Sequence, residues 1–457
     1  MKVGVVGAGT MGAGIAQLAC AAGMETRLHD PMPEALDRGA ESLRAGLRKM
    51  ADKGKLDDPD AAAALFETVA ELDGLAGCDL VIEAAPELPE LKRELFADLS
   101  RICGPDTVLA TNTSSIPVTS LASAAERPEN VVGMHFFNPP PLMRLLEVIG
   151  AEQTGERAME VARETGEAMG KRVIVAADGP GFLVNRCMRP FGAEALRLVQ
   201  EQVATPEQVD RIYRLGGGFR MGPFELMDLV GIDVGYAVAQ SFTELSFGES
   251  RWKPSPLQAR MVAAGRLGRK TGRGWYEYGD GSHRPEDPPA PDGTGADFEA
   301  EAATAGLVRC VEHSLTSLGD PRLVGFHLLP GAGLVELTRG SAAPTDTVQV
   351  AEELASAAGL HHEWVGDAPG LVLGRIACCL VNEAAFAIGE GVGSAEDVDA
   401  GLELGLNYPR GPVRWGEEIG LARVLATIDG LWAERREERY RAAPLLRRAV
   451  AMEAGLR

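Results

Sequence analysis

The chain has 457 residues, enough for two or three domains with substantial cores, and its 45% hydrophobic and 24% charged residues describe an ordinary globular protein. A formal net charge of −21 argues against nucleic acid or an anionic membrane surface as a general partner, while leaving room for an anionic small ligand where basic residues gather. No apolar run reaches the roughly 18 residues of a spanning helix, and seven cysteines without Cys-x-x-Cys spacing read as reduced, buried thiols of a cytoplasmic protein.

The first strand begins at Lys2, which leaves no room for a leader peptide, and runs through Val6 into Gly7-Ala8-Gly9-Thr10-Met11-Gly12. A helical pattern follows from Ile15. Strand, Gly-x-Gly-x-x-Gly and helix in that order form a turn whose backbone can approach a pyrophosphate at a helix N-terminus. A second strand over Met24–Asp30 ends in a carboxylate eighteen residues past Gly12. Asp30 suits the ribose hydroxyls of NAD and would repel the extra phosphate of NADP. No arginine follows it, so the cofactor expected is NAD.

Glu41 to Ala63 is charged and helical in pattern, with Lys49, Lys53 and Lys55 close together. Asp79–Ala85 and Thr107–Asn112 read as buried strands, with a helix over Leu88–Ile102 between them. Asn130–Phe137 and Leu145–Ile149 are two more, separated by Asn138-Pro139-Pro140-Pro141. That strand–turn–strand layout brings Glu147 back beside His135. An imidazole fixed by a carboxylate is suited to removing a proton near neutral pH, and beside NAD its use is alcohol oxidation.

From Gly181 to about Phe247 the apolar spacing turns helical, and Gly279 to Gly295, rich in Pro, Gly and Asp, reads as a linker. Beyond it the chain repeats. Asp178, Pro180 and Gly181 return 189 positions later as Asp367, Pro369 and Gly370, and Gly222-Pro223 returns as Gly411-Pro412. Arg186 and Glu194 become Arg375 and Glu383 at the same offset. Paired turn residues holding one register over such a distance indicate a duplicated helical domain. Upstream, His327 and Glu336 stand nine residues apart where His135 and Glu147 stand twelve apart, so a stump of the α/β domain accompanies the second copy without a glycine loop.

These readings give an α/β fold: a Rossmann-like, doubly wound sheet followed by all-helical domains, with the helical domain duplicated. The expected boundaries are 1–178 for the NAD-binding domain, 179–278 for the first helical domain and 279–298 for the linker. Residues 299–366 form the α/β remnant and 367–457 the second helical copy.

Asn112-Thr113-Ser114-Ser115, His135-Phe136-Phe137-Asn138-Pro139, Leu146-Glu147-Val148 and Pro180-Gly181-Phe182-Leu183-Val184-Asn185-Arg186 together resemble the 3-hydroxyacyl-CoA dehydrogenase family. The resemblance covers about the first 280 residues, and the appended copy resembles longer bacterial members assigned to 3-hydroxyadipyl-CoA or 3-hydroxybutyryl-CoA. It implies oxidation of a 3-hydroxyacyl-CoA with NAD, with His135 as base and Glu147 as its orienter. It further implies that Ser114 and Asn185 donate hydrogen bonds to the substrate, that Glu87 and Lys92 contact the cofactor and that Lys53 contacts CoA. A turn serine, a capping asparagine and solvated charges at Glu87, Lys92 and Lys53 are the structural alternatives.

The family pairs its helical domains in a homodimer. In this chain residues 367–457 are expected to pack on residues 180–260 and imitate that pairing, leaving one active site per chain. Two other functions fit the same fold: a dehydrogenase of a hydroxy acid without CoA, and a non-catalytic protein of the crystallin or NAD-sensing kind. A dicarboxylyl substrate would want a cation at the tail end of its pocket, for which Arg144, Arg186, Arg189 and Arg220 are the candidates.

Overall fold

The computed structural model describes residues 1–279 and 283–457, and part of the expected linker, residues 280–282, lies outside them. The chain divides into two compact units. The first holds residues 1–184 with 391–393 and 403–407, and the second holds 185–390 with 394–402 and 408–457.

The first unit is built on an eight-stranded sheet. Its strands are β1 (Lys2–Val6), β2 (Glu25–His29), β3 (Phe66–Val69), β4 (Leu80–Glu83), β5 (Val108–Thr111), β6 (Val131–Phe136), β7 (Leu145–Gly150) and β8 (Arg172–Ala177). Their order in the sheet is β3-β2-β1-β4-β5-β6-β7-β8, parallel throughout except where β6 meets β7. The chain reverses direction across the sheet between β1 and β4, the crevice in which doubly wound sheets take nucleotides. β1, β4 and β5 are almost wholly buried, as near-continuous apolar runs in a parallel sheet should be.

The charged segment after β2 is two helices, Pro33–Asp52 and Pro59–Ala64, in place of the single one expected. Gly54 in the left-handed region (φ 65°) and Pro59 at the start of the second helix end the first and begin the next. Neither edge strand beyond β2 nor β8 was expected from the sequence.

The second unit carries a smaller sheet of β9 (Val308–Arg309), β10 (Val324–His327), β11 (Leu334–Arg339) and β12 (His361–Trp364). β10 is antiparallel to β11 and parallel to β9, and β11 is parallel to β12. These directions repeat those of β5 to β8. The helix Thr345–Ala357 before β12 matches Glu156–Ala168 before β8 in length and register. The small sheet therefore repeats the last four strands of the eight-stranded one, without the strands that flank the glycine loop.

Helices make up the rest of that unit. Two carboxylates in equivalent places hold them in shape: Asp210 accepts the amides of Phe224 and Glu225, and Asp399 accepts those of Val413 and Arg414. Arg186 Nε donates to Glu383 Oε1 at 2.9 Å, and Arg375 Nε donates to Glu194 Oε2 at 2.9 Å. The bonds are reciprocal between positions related by the repeat. The linker residues that are described are irregular but fastened: Arg214 bonds Asp287, and the Thr294 amide donates to Ala357.

Candidate active site

The glycine loop follows β1 and opens the helix Thr10–Ala21. Gly7 has φ 101°, and a side chain there would meet the Ala84 carbonyl oxygen at 2.6 Å. A Cβ on Gly12 would lie 1.7 Å from the Gly7 oxygen, so neither of these two positions tolerates a substituent. Gly9 has nothing within 4 Å of its would-be Cβ, and it caps the helix without a side-chain hydrogen bond. The helix N-terminus with Thr10 and Met11 is thus bare on the side where a pyrophosphate would sit. Asp30, at the end of β2, accepts the Ala8 amide with Oδ2 at 2.9 Å and the Met32 amide with Oδ1 at 3.0 Å. A half-buried carboxylate beside an uncapped glycine turn fits NAD.

At the end of β4, Glu83 is fully buried and accepts the Ala85 amide, the Thr111 hydroxyl and the Lys92 ammonium. Lys92 bridges it to Glu87, 2.9 Å from each carboxylate. Lys92 is only 1% exposed, so the solvated-charge alternative is wrong for it: the ammonium is spent between two carboxylates. Glu87 Oε1 in turn accepts the hydroxyls of Thr113 and Ser115 and the amides of Ser114 and Ser115. Burial alone would raise the Glu87 carboxyl, but Lys92 and the bonds from Thr113 and Ser115 outweigh it and hold it low. The result is a fixed turn that leaves Ser114 exposed, with its hydroxyl unbonded among the described residues.

The antiparallel register of β6 and β7 sets His135 directly opposite Glu147. His135 Nδ1 lies 2.7 Å from Glu147 Oε2, with the imidazole 6% exposed and the carboxylate fully buried. The other carboxylate oxygen, Oε1, accepts the amides of Leu183 at 3.2 Å and Val184 at 3.0 Å. A carboxylate only accepts, so Nδ1 donates to it and Nε2 is the ring nitrogen left outside that bond. Phe137 and Phe182 flank the ring, with centroids 4.7 and 5.8 Å away. Asn112 Oδ1 accepts the Phe136 amide at 2.8 Å, tying the neighbouring strand end to the Ser114 turn. Below, buried Lys171 donates to the carbonyls of Pro140 and Met143 and pins the loop between the two strands; burial pulls its ammonium down to about 8.

Two further site residues were expected. Lys53 is exposed just past the helix Pro33–Asp52. Asn185 belongs to the second unit, in the short helix Val184–Cys187. Glu83, Thr111, Asn112, Lys171 and the amides of Leu183 and Val184 were missed from the sequence. Glu83 is the carboxylate near the end of the expected strand Asp79–Ala85, much as Asp30 ends the strand before it, and that position was the available signal.

The family model for the 3-hydroxyacyl-CoA dehydrogenase NAD-binding domain matches residues 2–179, and that for the C-terminal domain of the same enzymes matches residues 181–278 and again 370–455. The chain belongs to the 3-hydroxyacyl-CoA dehydrogenase family. It is an NAD-dependent oxidoreductase, and its C-terminal domain occurs twice. It is 36% identical to a 3-hydroxyadipyl-CoA dehydrogenase of Escherichia coli K12, across 99% of this chain and 98% of that protein. It is 44% identical to a probable 3-hydroxybutyryl-CoA dehydrogenase of Deinococcus radiodurans, across 61% of this chain and 100% of that protein. Among solved structures, a 3-hydroxybutyryl-CoA dehydrogenase from Escherichia coli K12 superposes with a TM-score of 0.88 at 34% identity, covering 99% of this chain and 98% of that one. Among the described residues, no helix is long and apolar enough to cross a membrane.

Proposed function

We propose that this dehydrogenase oxidises (S)-3-hydroxyacyl-CoA to 3-oxoacyl-CoA, with a short or dicarboxylyl acyl group such as 3-hydroxybutyryl or 3-hydroxyadipyl. The observation that carries the reading is the division of labour on Glu147: one oxygen is locked by two backbone amides and the other orients His135. Gly7, Gly9, Thr10, Met11, Gly12 and Asp30 would hold NAD, which supplies the hydride acceptor when bound.

The protein's own part is proton handling and polarisation. His135 takes the 3-hydroxyl proton at Nε2 while hydride leaves C3, and the imidazolium so formed faces the Glu147 carboxylate. Ser114 and Asn185 donate to oxygens that gain negative character as the ketone forms. Glu87 and Lys92 act by holding the Ser114 turn beside the cofactor loop, and Lys53 meets the CoA phosphates as an exposed cation. Seven buried, unbridged cysteines suit a cytoplasmic setting.

The test is NADH formation from (S)-3-hydroxybutyryl-CoA. His135→Ala should lower turnover by about 10²- to 10⁴-fold while NAD affinity is retained. Near-normal turnover in that variant contradicts the mechanism.

Domain boundaries follow the same reading: 1–178 binds NAD, 179–278 is the first helical domain, 299–366 the remnant and 367–457 the second helical domain. We further propose that the two helical copies pair as an internal dimer, with one active site per chain. The reciprocal Arg186–Glu383 and Arg375–Glu194 bonds support it, since a two-fold pairing makes each contact twice. Deleting residues 300–457 should leave an apolar helical face that dimerises or aggregates. A truncated chain that stays monomeric with unchanged melting is the contrary result.

A further inference from the structure

We propose that Arg189 and Tyr408, one from each helical copy, receive the far carboxylate of a dicarboxylyl acyl chain and so make the enzyme selective for acid-tipped acyl-CoA. The proposal rests on the acyl-CoA reading above and narrows its substrate class.

The argument begins with how this unit treats its other arginines. Arg186, Arg251 and Arg375 lie buried or nearly so, and each has a glutamate oxygen within 3.0 Å. Arg189 has no ion pair and no hydrogen bond among the described residues, although it is half-buried. Its guanidinium carbon lies 4.9 Å from the centre of the Phe242 ring. Burial pulls its pKa down to about 10, with Tyr408 acting in the opposite sense, so it remains a cation at neutral pH.

Tyr408 is in the complementary condition. It is 7% exposed, and its buried hydroxyl has no hydrogen-bond partner among the described residues. Phe191 and Phe219 fix its ring at centroid distances of 5.4 and 5.1 Å. Burial raises the phenol well above its ordinary value, opposed by the nearby Arg189 charge, so the group stays a neutral donor. A desolvated cation beside an unsatisfied donor is a costly arrangement unless an anion completes it. A carboxylate does so in full: the guanidinium fork takes two oxygens, and the phenol donates to one of them.

Helical phase supplies the position. Asn185 lies in the helix Val184–Cys187, Met188 keeps helical angles (φ −78°, ψ −13°) and the helix Arg189–Gln200 follows. Residues four apart on a continuing helix share a face and are separated by roughly 6 Å along the axis. Arg189 therefore stands one turn beyond the asparagine assigned to the reacting end, on the same side of the helix. The other three candidates fall away. Arg186 is taken by Glu383 and Glu390, and Arg144 and Arg220 are exposed.

The full-length enzyme and its Arg189→Met, Arg189→Lys and Tyr408→Phe variants should be compared by kcat/KM on 3-hydroxyadipyl-CoA and 3-hydroxybutyryl-CoA, read as the ratio between the two. The wild type should favour the dicarboxylyl thioester. Arg189→Met should lower the ratio by about 10²-fold, Arg189→Lys by less because its ammonium keeps charge without the fork, and Tyr408→Phe by roughly fivefold. A ratio indifferent to Arg189→Met, or a wild type that favours the butyryl substrate, overturns the proposal and leaves the dehydrogenase reading standing.

A second measurement needs no variant and no turnover. Adipyl-CoA should bind the wild type about tenfold more tightly than hexanoyl-CoA, and equal or weaker binding overturns the proposal. Should neither hydroxyacyl thioester yield NADH, the activity reading fails, while the adipyl–hexanoyl comparison still decides this one.

Discussion

Two histidine–glutamate pairs face each other across antiparallel strands in this molecule, His135 with Glu147 and His327 with Glu336, in the same backbone register. In the first, Nδ1 and carboxylate are 2.7 Å apart; in the second the separation is 4.0 Å, and the His327 Nδ1 has no hydrogen-bond partner among the described residues. The cause lies in two amides. Leu183 and Val184 both donate to one oxygen of Glu147 and leave the other for the imidazole. Their counterparts Val372 and Leu373 engage both oxygens of Glu336.

Asn185 has become Gly374, where a Cβ would lie 2.1 Å from the His327 ring, so the imidazole has moved into the vacated space. Burial, then Arg309 and Arg423, pull His327 down to about 3, and burial pushes Glu336 up to about 8. Burial thus disfavours the charged form of both partners. Strand register creates the meeting, and the sharing of amide donors decides whether the carboxylate bonds the imidazole.

The largest expected difference between the two regions is in rate. His327→Ala should leave turnover unchanged in the NADH absorbance assay, against the 10²- to 10⁴-fold loss expected at His135. A comparable loss at His327 would mean that the remnant takes part in chemistry. Next in size is stability around Arg375. Arg375 is fully buried between Glu194, Glu201 and Tyr440, and Arg375→Met should cost roughly 3–5 kcal/mol by denaturant unfolding, because it strands buried carboxylates.

The smallest effect concerns pH. Glu336, with its folded pKa raised to about 8 from an ordinary 4.5, binds a proton in the folded state that the unfolded chain releases. Its contribution to stability is full below pH 4.5 and is lost as the pH rises through 8. Glu336→Gln keeps the acceptor without the titration. Its stability relative to wild type should therefore climb between those limits and then level off. A pH-independent difference between the two proteins would show that Glu336 is already ionised in the fold.

Much of this was legible in the chain because it is written in local pattern. The glycine loop with its flanking strand and helix needs only neighbouring residues, and Asp30 marks the next strand's end. The His135–Glu147 meeting follows from two strands around a proline-rich turn. The duplication follows from one offset held by Asp178 and Asp367, which each accept two amides at the start of a short helix.

What escaped depends on distance. β3 reads as a polar segment because it is an edge strand whose Glu67 and Thr68 face solvent. Lys92 has the appearance of a helix surface charge, and only the convergence of Glu83 and Glu87 buries it. Arg186 and Arg189 cannot be told apart as anion receptors, since the glutamate that occupies Arg186 lies 197 residues away.

The most direct test of the central claim is a double-mutant cycle on His135→Ala and Glu147→Ala, read in kcat/KM for a 3-hydroxyacyl-CoA. If the carboxylate acts through the imidazole, its removal from a chain already lacking His135 should cost almost nothing more, so the double variant should match His135→Ala. Fully additive losses would show that the two side chains act independently, and would contradict the account.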